Sequence, residues 1–367
     1  MKHSSKGKVT TMLLGITAAF MLSACSGDQA TESPPVKEPV QPPAVEQPVE
    51  TPPAAEEQPE ANSAFTAPLT GQGLEQPSDR RPLAVMMNNA PAARPQSGLS
   101  QADLVYEVLA EGGITRLIAI YQSQTGIEKI GPVRSIRPYL IDIGESYDGV
   151  LVHAGGSPEA YAIIQRQKKQ DLDEIGSAGA YFWRTTDRKA PHNLYTSEEK
   201  LREAVLKHSY PQESEVPEYD FLDAAAPADD AEGEPAIRVD LTFLLGSYNV
   251  GYTYDEETGT YKRSINNQPH IDKNNNAVLE AANVVVLSAE HKVLDEVGRL
   301  AVNLEQGGEA MLFRKGKVIK GEWSRKQGDV IRFLKDGKEV PFYPGTTYFN
   351  IVPSSPSFAS HVTISNP

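Results

Sequence analysis

Most of the side chains that could carry chemistry lie near the ends of predicted strands in the N-terminal half of this 367-residue chain. They are carboxylates, imidazoles, guanidinium groups, amides and one hydroxyl, which are groups that bind anions or move protons. Open α/β sheets bind ligands in a crevice at their strand ends. We therefore expect a ligand-binding site to draw on Asn88, Arg94, Glu107, Glu111, Arg116, Arg134, Ser135, Arg137, His153, Arg188, His192 and Asn193.

Two of the arginines stand three residues apart in the stretch IGPVRSIRPYL, residues 130–140. Pro138 disfavours helical backbone at the residue before it and suits the first turn of a helix, so Arg137 should be extended or a helix cap. Free amides at a helix start, together with two guanidinium groups, form a strong anion receptor. The alternative is that Arg134 and Arg137 form internal ion pairs that hold the fold together. Their partners would then be Glu107, Glu111 or Asp142.

Acid–base chemistry is a second possible use of the same set. Glu107 or Glu111 would act as acid or base with help from His153 or His192, and the arginines would stabilise phosphate charge. His153 is followed closely by two glycines that would let a ligand approach, although a structural, hydrogen-bonded role also fits it. The sequence has no GxSxG, HExxH, P-loop or CxxC motif, so it predicts no catalytic mechanism and the question of enzymatic activity stays open.

No metal site or cofactor is predicted. A metal site would need His153, His192 and a carboxylate to come together from distant segments. Cysteine catalysis and thiolate ligands are excluded, because the one cysteine, Cys25, lies in an N-terminal targeting segment. In the C-terminal half, His270 and Asp272 stand two apart in a predicted loop, which is a weak signal for a site.

Strands and helices are mixed in the segment that carries the candidate residues. Predicted strands cover residues 82–89, 102–110, 115–123 and 149–156, and predicted helices cover 138–147, 157–169 and 196–209. The two glycines of EGGI, residues 111–114, suit a tight hairpin between the second and third strands. Ser157 is the predicted N-cap of the second helix, and Thr196 with Glu199 forms a capping box for the third. This mixture predicts an α/β or α+β N-terminal domain with a mixed sheet.

The C-terminal half reads as a smaller, mostly-β domain. Residues 252–265 alternate in polarity on both sides of a Gly-containing turn, which predicts a hairpin, and several short strands follow between glycine turns. The length of the chain suggests about two domains. The predicted boundaries are 67–210 for the α/β domain, 211–236 for an acidic linker or loop, and 237–367 for the mostly-β domain.

The N-terminus has the features of a lipoprotein signal peptide, residues 1–25. Three lysines precede an apolar stretch, residues 10–22, that is too short to span a bilayer. The run LSAC then ends at Cys25 and resembles a bacterial lipobox, which predicts lipidation of that residue. Residues 26–66 hold nine prolines and eight acidic residues and predict a disordered tether. The expected location is extracytoplasmic, with a lipid anchor in the cell membrane.

The strongly negative charge belongs to the connecting segments. The chain has a formal net charge of −14, whereas the tether and the acidic segment 211–236 carry −7 and −9. The predicted folded domains are therefore close to neutral. They offer no electrostatic reason to expect nucleic-acid binding.

Several long runs make the chain resemble the YerB-like bacterial lipoproteins, the family called domain of unknown function 3048. In the N-terminal half these runs are PLAVMMNNAPAARPQSGLSQADLVYEVLAEGGITRLIAIY, IGPVRSIRPYLIDIGESYDGVLVHAGGSPEA and RKAPHNLYTS. In the C-terminal half they are YKRSINNQPHID, GEWSR and PGTTYFNIVP. The resemblance implies a two-part architecture and an envelope lipoprotein, and it brings no catalytic mechanism.

Three hypotheses follow for the function. In the first, the protein is an anchored binding or accessory module for an anionic envelope ligand, such as a polymer, or for an envelope protein. In the second, it is an envelope hydrolase or transferase that uses a Glu/His/Arg cleft. In the third, it is a structural scaffold in which the arginines of the first domain all form internal ion pairs and the mostly-β domain docks a partner. The partners of Arg134 and Arg137 discriminate among the three.

Overall fold

The computed structural model describes residues 65–223 and 232–366. The predicted signal peptide with Cys25, almost all of the predicted tether and part of the acidic segment lie outside the described residues. The described residues belong to one compact unit. Within the described ranges, none of the helices is both long and apolar enough to cross a membrane.

Strands dominate the described part of the chain. They are β1 (Phe65–Thr66), β2 (Gly73–Leu74), β3 (Leu83–Asn88), β4 (Leu104–Leu109), β5 (Thr115–Tyr121), β6 (Val150–His153), β7 (Asp171–Asp173), β8 (Trp183–Arg184), β9 (Leu194–Tyr195), β10 (Glu234–Pro235), β11 (Arg238–Thr242), β12 (Asn249–Asp255), β13 (Thr260–Ile265), β14 (Gln268–Pro269), β15 (Glu280–Ala281), β16 (Asn283–Ala289), β17 (His291–Val293), β18 (Leu300–Val302), β19 (Gly308–Arg314), β20 (Lys317–Ser324), β21 (Arg332–Lys335), β22 (Lys338–Glu339), β23 (Thr347–Pro353) and β24 (Val362–Ser365). The α-helices are α1 (Pro138–Glu145), α2 (Pro158–Gln167) and α3 (Glu198–Lys207).

A large mixed sheet takes strands from both halves of the chain. Its order is β22-β21-β20-β19-β16-β23-β4-β5-β3-β6-β7, and β10 pairs with β20. The late strand β23 lies between β16 and β4 and is parallel to both. The strands β4 and β5 are antiparallel neighbours joined by the turn 110–114, as the glycines of EGGI predicted. The N-terminal and C-terminal segments therefore share one continuous sheet.

A second, six-stranded sheet is made from C-terminal strands, in the order β14-β13-β12-β11-β24 with β15 paired to β13. Its apolar side chains and those of α3 pack on one face of the large sheet, which we call the inner face. The helices α1 and α2 pack on the other face, which we call the helix face. Alternation along β3 illustrates the division, since Val85 and Met87 join the inner-face core and Ala84 and Met86 join the helix-face core.

The predicted fold class is confirmed, and the helix starts follow the predicted signals closely. Pro138 is the first residue of α1, and Arg137 before it is extended, with φ −133° and ψ 161°. The Ser157 hydroxyl caps α2 by accepting a hydrogen bond from the Ala160 amide at 3.2 Å. The cap of α3 is Ser197, one residue later than the predicted Thr196. Thr196 instead donates its hydroxyl hydrogen to the carbonyl of Tyr181, at 2.9 Å.

Candidate functional site

Three arginines meet on the helix face of the large sheet, where β5 begins and α1 starts. Arg116 is the second residue of β5, and its guanidinium donates to the carbonyl of Ser135. Burial, followed by repulsion from Arg137, lowers the pKa of Arg116 to about 10. We call Arg116, Arg134, Arg137 and the neighbouring Glu111 the arginine cluster. Its four ionised side chains carry a formal charge of +2, because one carboxylate faces three guanidinium groups.

Arg137 has an internal partner. Its guanidinium forms an ion pair with Glu111, which lies in the turn between β4 and β5, and also donates to the carbonyl of Ile136 at 2.7 Å. Burial is the largest single effect and raises the pKa of Glu111, but the hydrogen bond and the charge of Arg137, with smaller contributions from a backbone hydrogen bond and Arg116, together leave that pKa below its usual value. The alternative of internal pairing therefore holds for Arg137, with Glu111 as the partner.

Arg134 differs from Arg137, because only its backbone forms hydrogen bonds within the described residues. The backbone N–H donates to Met86 at 2.8 Å and the carbonyl accepts from Ala154 at 3.1 Å, which ties the residue to β3 and to the end of β6. The half-buried guanidinium has no hydrogen bond or ion pair within residues 65–223 and 232–366. Its pKa is lowered, first by burial and then by Arg137. The side chain is thus a partly desolvated cation without a hydrogen bond or ion pair to the described residues.

His192 and Asn88 border the arginine cluster. The Asn88 amide nitrogen lies 3.0 Å from Nδ1 of His192. Because the Asn88 oxygen accepts the Ala90 N–H, its amide nitrogen is the donor to His192. Burial, then Arg134 and Arg188, lower the pKa of the imidazole, which favours its neutral form. His192 is therefore a polar neighbour of Arg134, with Nδ1 already occupied.

Glu107 lies on the inner face and has its own partner. Its side chain is 0% exposed and pairs with Arg263 of β13 at 2.5 Å, whose side chain is also 0% exposed. The carboxylate also accepts hydrogen bonds from Tyr248 at 2.5 Å, Thr115 at 2.6 Å and Asn89 at 3.1 Å. Buried carboxylates persist only when paired and hydrogen-bonded in this way. The pair joins the large sheet to the six-stranded sheet.

A closed ring of hydrogen bonds surrounds this ion pair. Arg263 Nε donates to His270 Nδ1 at 3.1 Å, so the His270 proton is on Nε2, which donates to Gln96 at 2.7 Å. Gln96 donates to Asn89 Oδ1 at 2.9 Å, and Asn89 donates back to Glu107. Burial, and then Arg263, hold the pKa of His270 well below its usual value. We call Glu107, Arg263, His270, Gln96 and Asn89 the buried ring.

The large sheet separates the buried ring from the arginine cluster. In the register of β4 and β5, Glu107 is opposite Leu117 and Val108 is opposite Arg116. Since successive side chains alternate between faces, Glu107 and Arg116 point in opposite directions. The predicted use of Glu107 as an acid or base beside the arginines therefore has no support in the geometry, because this carboxylate is enclosed on the inner face.

His153 is enclosed as well. Its ring is 0% exposed, with Nδ1 2.9 Å from the Gly155 carbonyl and Nε2 3.2 Å from Asp171. Asp173 also lies 3.6 Å from Nδ1 and accepts the Gly155 amide at 2.8 Å. These contacts agree with a structural histidine. Among the described residues, no group of three or more His, Cys, Asp or Glu side chains is arranged to hold a metal ion.

The remaining candidate residues tie loops together. Arg188 donates to the carbonyls of Ala93 and Pro95 at 2.7 and 2.8 Å. Arg94 donates to the Asn89 carbonyl at 3.1 Å, and its guanidinium carbon lies 4.9 Å from the centre of the Tyr248 ring. The Asn193 amide donates to the Thr185 carbonyl at 2.7 Å, and the Ser135 hydroxyl donates to the Ala154 carbonyl at 2.9 Å.

Arg263, Gln96 and Asn89 were missed by the sequence reasoning. A usable signal exists for Arg263, because β13 alternates between half-buried and buried positions and the arginine falls in the buried phase with Tyr261 and Ile265. Glu107 likewise falls in the inward phase of β4, between Val105 and Leu109. Opposite charges in the core-facing phase of two strands predict a buried ion pair.

The larger grooves among the described residues are not lined by the arginine cluster or by the buried ring. One of about 670 Å³ is lined by Asp142, Glu145, Lys169 and Arg325, among others. Three of its charged side chains are engaged, since Lys169 pairs with Glu145, and Arg325 donates to the Asp142 carbonyl at 2.7 Å. A cavity of about 70 Å³ lies beside the buried ring, between Arg94, Ile114 and Tyr248. Volume alone therefore does not identify the site.

Comparisons with known proteins agree with the sequence resemblance. The chain matches the families described as "Protein of unknown function (DUF3048) N-terminal domain" over residues 69–211 and "Protein of unknown function (DUF3048) C-terminal domain" over residues 239–349. A Bacillus subtilis protein named "Putative lipoprotein YerB" is 38% identical over 297 residues, which cover 80% of this chain and 88% of that protein. A crystal structure of the YerB protein from Bacillus subtilis matches with a TM-score of 0.74 and 37% identity. That match covers 82% of this chain and 100% of the YerB chain.

Proposed function

The chain belongs to the DUF3048 family, and from this premise we propose that it is an anchored binding module for a phosphate-bearing anion of the cell envelope. Its relationship to YerB supports a lipoprotein of unknown function. The binding role and the nature of the ligand are the proposal.

The unpaired guanidinium of Arg134 is the observation that carries the proposal. A half-buried arginine has lost part of its hydration, so a partner that accepts its hydrogen bonds would restore favourable interactions. The arginine cluster has an excess of two positive charges, and Arg134 is its member without a hydrogen bond or ion pair among the described residues. Phosphate oxygens match the planar donor geometry of guanidinium groups.

The N-terminal sequence would place this site near a membrane. Lipidation at Cys25 would anchor the chain on the outer side, and the tether 26–66 would space the folded part from the bilayer. An anchored module of this kind meets the phosphate-rich polymers and lipids of the envelope. A soluble anion is a simpler first probe, because it tests the site without the anchor.

Isothermal titration of the chain from Ser26 onward with inorganic pyrophosphate tests the proposal. We expect binding that weakens with added salt, because the contact is electrostatic. Replacing Arg134 with alanine should weaken the affinity about ten- to hundred-fold, since a hydrogen bond to a charged group contributes about 1.5–3 kcal/mol.

The matched control is Arg166→Ala, which removes one positive charge from an exposed position of α2. It should leave the affinity nearly unchanged. If Arg134→Ala and Arg166→Ala reduce the binding equally, the anion is attracted by overall charge and not by the arginine cluster. If the wild-type chain binds neither pyrophosphate nor a poly(glycerol phosphate) polymer, the proposal is wrong.

A further inference from the structure

Exposed apolar side chains are concentrated beside the arginine cluster. Nine large hydrophobic side chains are exposed among the described residues, and six of them lie in two loops and the neighbouring β17–β18 hairpin at this end of the sheet. We call these six the apolar rim: Ile114, Leu244, Leu245, Val293, Leu294 and Val297. Exposed apolar groups that gather in one place mark an interaction surface, whereas scattered ones do not.

The turn between β4 and β5 joins the apolar rim to the arginine cluster. Its first residue, Glu111, pairs with Arg137. The Leu245 side chain lies directly over Gly113, so close that a methyl group on that glycine would be 2.7 Å from the leucine Cγ. A methyl group on Gly298, in the turn of the β17–β18 hairpin, would come within 4.0 Å of the Gly112 nitrogen.

A seventh exposed apolar residue lies on the other side of the cluster. Ile175 is 71% exposed, and a methyl group on Gly155 would be 3.0 Å from its Cδ1 and 3.5 Å from the Ser135 hydroxyl. Ser135 is the residue next to Arg134, so apolar groups lie on both sides of the cationic centre. The surface therefore combines hydrocarbon and positive charge.

The charged side chains near the apolar rim do not remove this combination of apolar surface and positive charge. Residues 243–248, which carry Leu244 and Leu245, contain no charged side chain. In the β17–β18 hairpin, Arg299 pairs with Asp295 at 3.1 Å and with Glu159 of α2 at 3.7 Å. Lys292 and Glu296 are exposed there with opposite signs. Beside Ile175, the carboxylates of Asp171, Asp173 and Glu174 are engaged with His153, Gly155 and Arg184, so the arginine cluster keeps its own excess of positive charge.

We propose that this end of the fold docks on an anionic lipid surface, with the apolar rim in the interfacial layer and the arginine cluster on lipid phosphates. A lipid surface presents hydrocarbon and anionic phosphate side by side, which are the two partners that the rim and the cluster lack. The inference rests on the proposed anion-binding function and names the lipid phosphate as its ligand. The predicted anchor at Cys25 would keep this surface close to the bilayer.

The test uses the full chain in vesicles and reports on the environment of one position. In the lipidated chain the thiol of Cys25 is occupied, so Val297→Cys supplies the free cysteine that is labelled with an environment-sensitive nitrobenzoxadiazole dye. The protein is reconstituted into phosphatidylcholine vesicles with or without phosphatidylglycerol. The readout is local, so it does not depend on how the N-terminal segment attaches the chain. The position control is Leu206→Cys, which is 61% exposed on α3.

We expect a blue shift and quenching by brominated lipids at position 297 in phosphatidylglycerol vesicles, and neither change at position 206. Arg134→Glu should lower the ratio of docked to free states by more than the roughly 30-fold expected from a change of two charge units near an anionic surface, at about 1 kcal/mol per charge. Arg166→Glu makes the same change of charge on α2 and should leave the shift intact. Circular dichroism of every variant verifies that it is folded.

Two results would overturn the docking proposal. The first is a dye at position 297 that stays as exposed to water as the dye at position 206 in all vesicles. The second is an equal shift in pure phosphatidylcholine that Arg134→Glu does not change, which would mean apolar contact without phosphate recognition. The pyrophosphate titration separates this proposal from the function on which it rests. If pyrophosphate binds through Arg134 but the dye at position 297 shows no blue shift, the anion-binding function is supported and the docking proposal is wrong.

Discussion

Replacing Glu107 with glutamine should destabilise the protein strongly although the side chain keeps its size. Glu107 and Arg263 are both enclosed, and the carboxylate accepts four hydrogen bonds, one of them from Arg263 at 2.5 Å. In the variant the guanidinium stays charged in the interior with only neutral partners. Breaking a buried ion pair by removing one member costs about 3–5 kcal/mol.

The lower end of that range is expected for glutamine. Its amide oxygen can still accept one or two of the hydrogen bonds, and Arg263 keeps its contacts with Tyr252 and His270. We therefore expect a loss of about 3 kcal/mol from the free energy of unfolding. A single domain has only about 5–15 kcal/mol in total, so the change should be plain.

Urea unfolding of the chain from Ser26 onward measures this loss. Tryptophan fluorescence reports the transition, because Trp323 is buried in the helix-face core. Linear extrapolation to water gives the free energy. The control Glu309→Gln removes a carboxylate from an exposed position of β19 and should change stability by less than about 0.5 kcal/mol.

A double variant isolates the ion pair from the rest of the buried ring. Arg263→Met alone leaves the Glu107 charge unpaired, whereas Glu107→Gln with Arg263→Met leaves no buried charge. The double variant should be more stable than the sum of the two single losses predicts. A loss of less than about 1 kcal/mol for Glu107→Gln, or strict additivity in the cycle, would refute the view that a desolvated ion pair joins the two sheets.

Two further predictions follow from the buried ring and from the turn beside it. Because burial and then Arg263 lower the pKa of His270, the unfolded chain binds a proton below about pH 6.5 that the folded chain does not. The free energy of unfolding should therefore fall by up to about 1.4 kcal/mol for each pH unit below that point. Urea unfolding of the His270→Asn variant should show a smaller dependence on pH. Equal slopes for the wild type and the variant would contradict this role of His270. In the turn, Gly112 and Gly113 have φ of 68° and 73°, so an alanine at either position should cost about 1–2 kcal/mol in backbone strain. Gly113→Ala should also displace Leu245, whereas the methyl group of Gly112→Ala would meet nothing within 4 Å. Gly113→Ala should therefore lower the melting temperature more than Gly112→Ala does. The opposite order in thermal unfolding would contradict this geometry.

Local structure was predictable where it depends on nearby residues. Pro138 and Ser157 mark the starts of α1 and α2, and alternation marks β13 and the inward position of Glu107 in β4. The cap of α3 shifted from Thr196 to Ser197, because both residues can accept an amide hydrogen bond and the position of Tyr181 decides which one is free to do so. Such choices depend on a tertiary contact that adjacent residues do not reveal.

The strand order was beyond the reach of the sequence. The strand β23 comes late in the chain, yet it lies parallel to β4 and completes the sheet that carries the arginine cluster. Alternation indicates which face of a strand is buried, but it does not identify the neighbouring strand. That choice depends on the packing of the whole chain, because any two strands with apolar faces can pair in principle.

The sequence by itself determined the family, the mixed sheet, the starts of α1 and α2, and the presence of two arginines just before α1. Only the tertiary structure decided the partner of each charge. Glu107 pairs with Arg263, 156 positions away, Arg137 pairs with Glu111, and the side chain of Arg134 has no hydrogen bond or ion pair among the described residues. The physical reason is that residue type and spacing set local conformation and the direction of a side chain. The charge that lies opposite is set by which strands and turns the complete fold brings together.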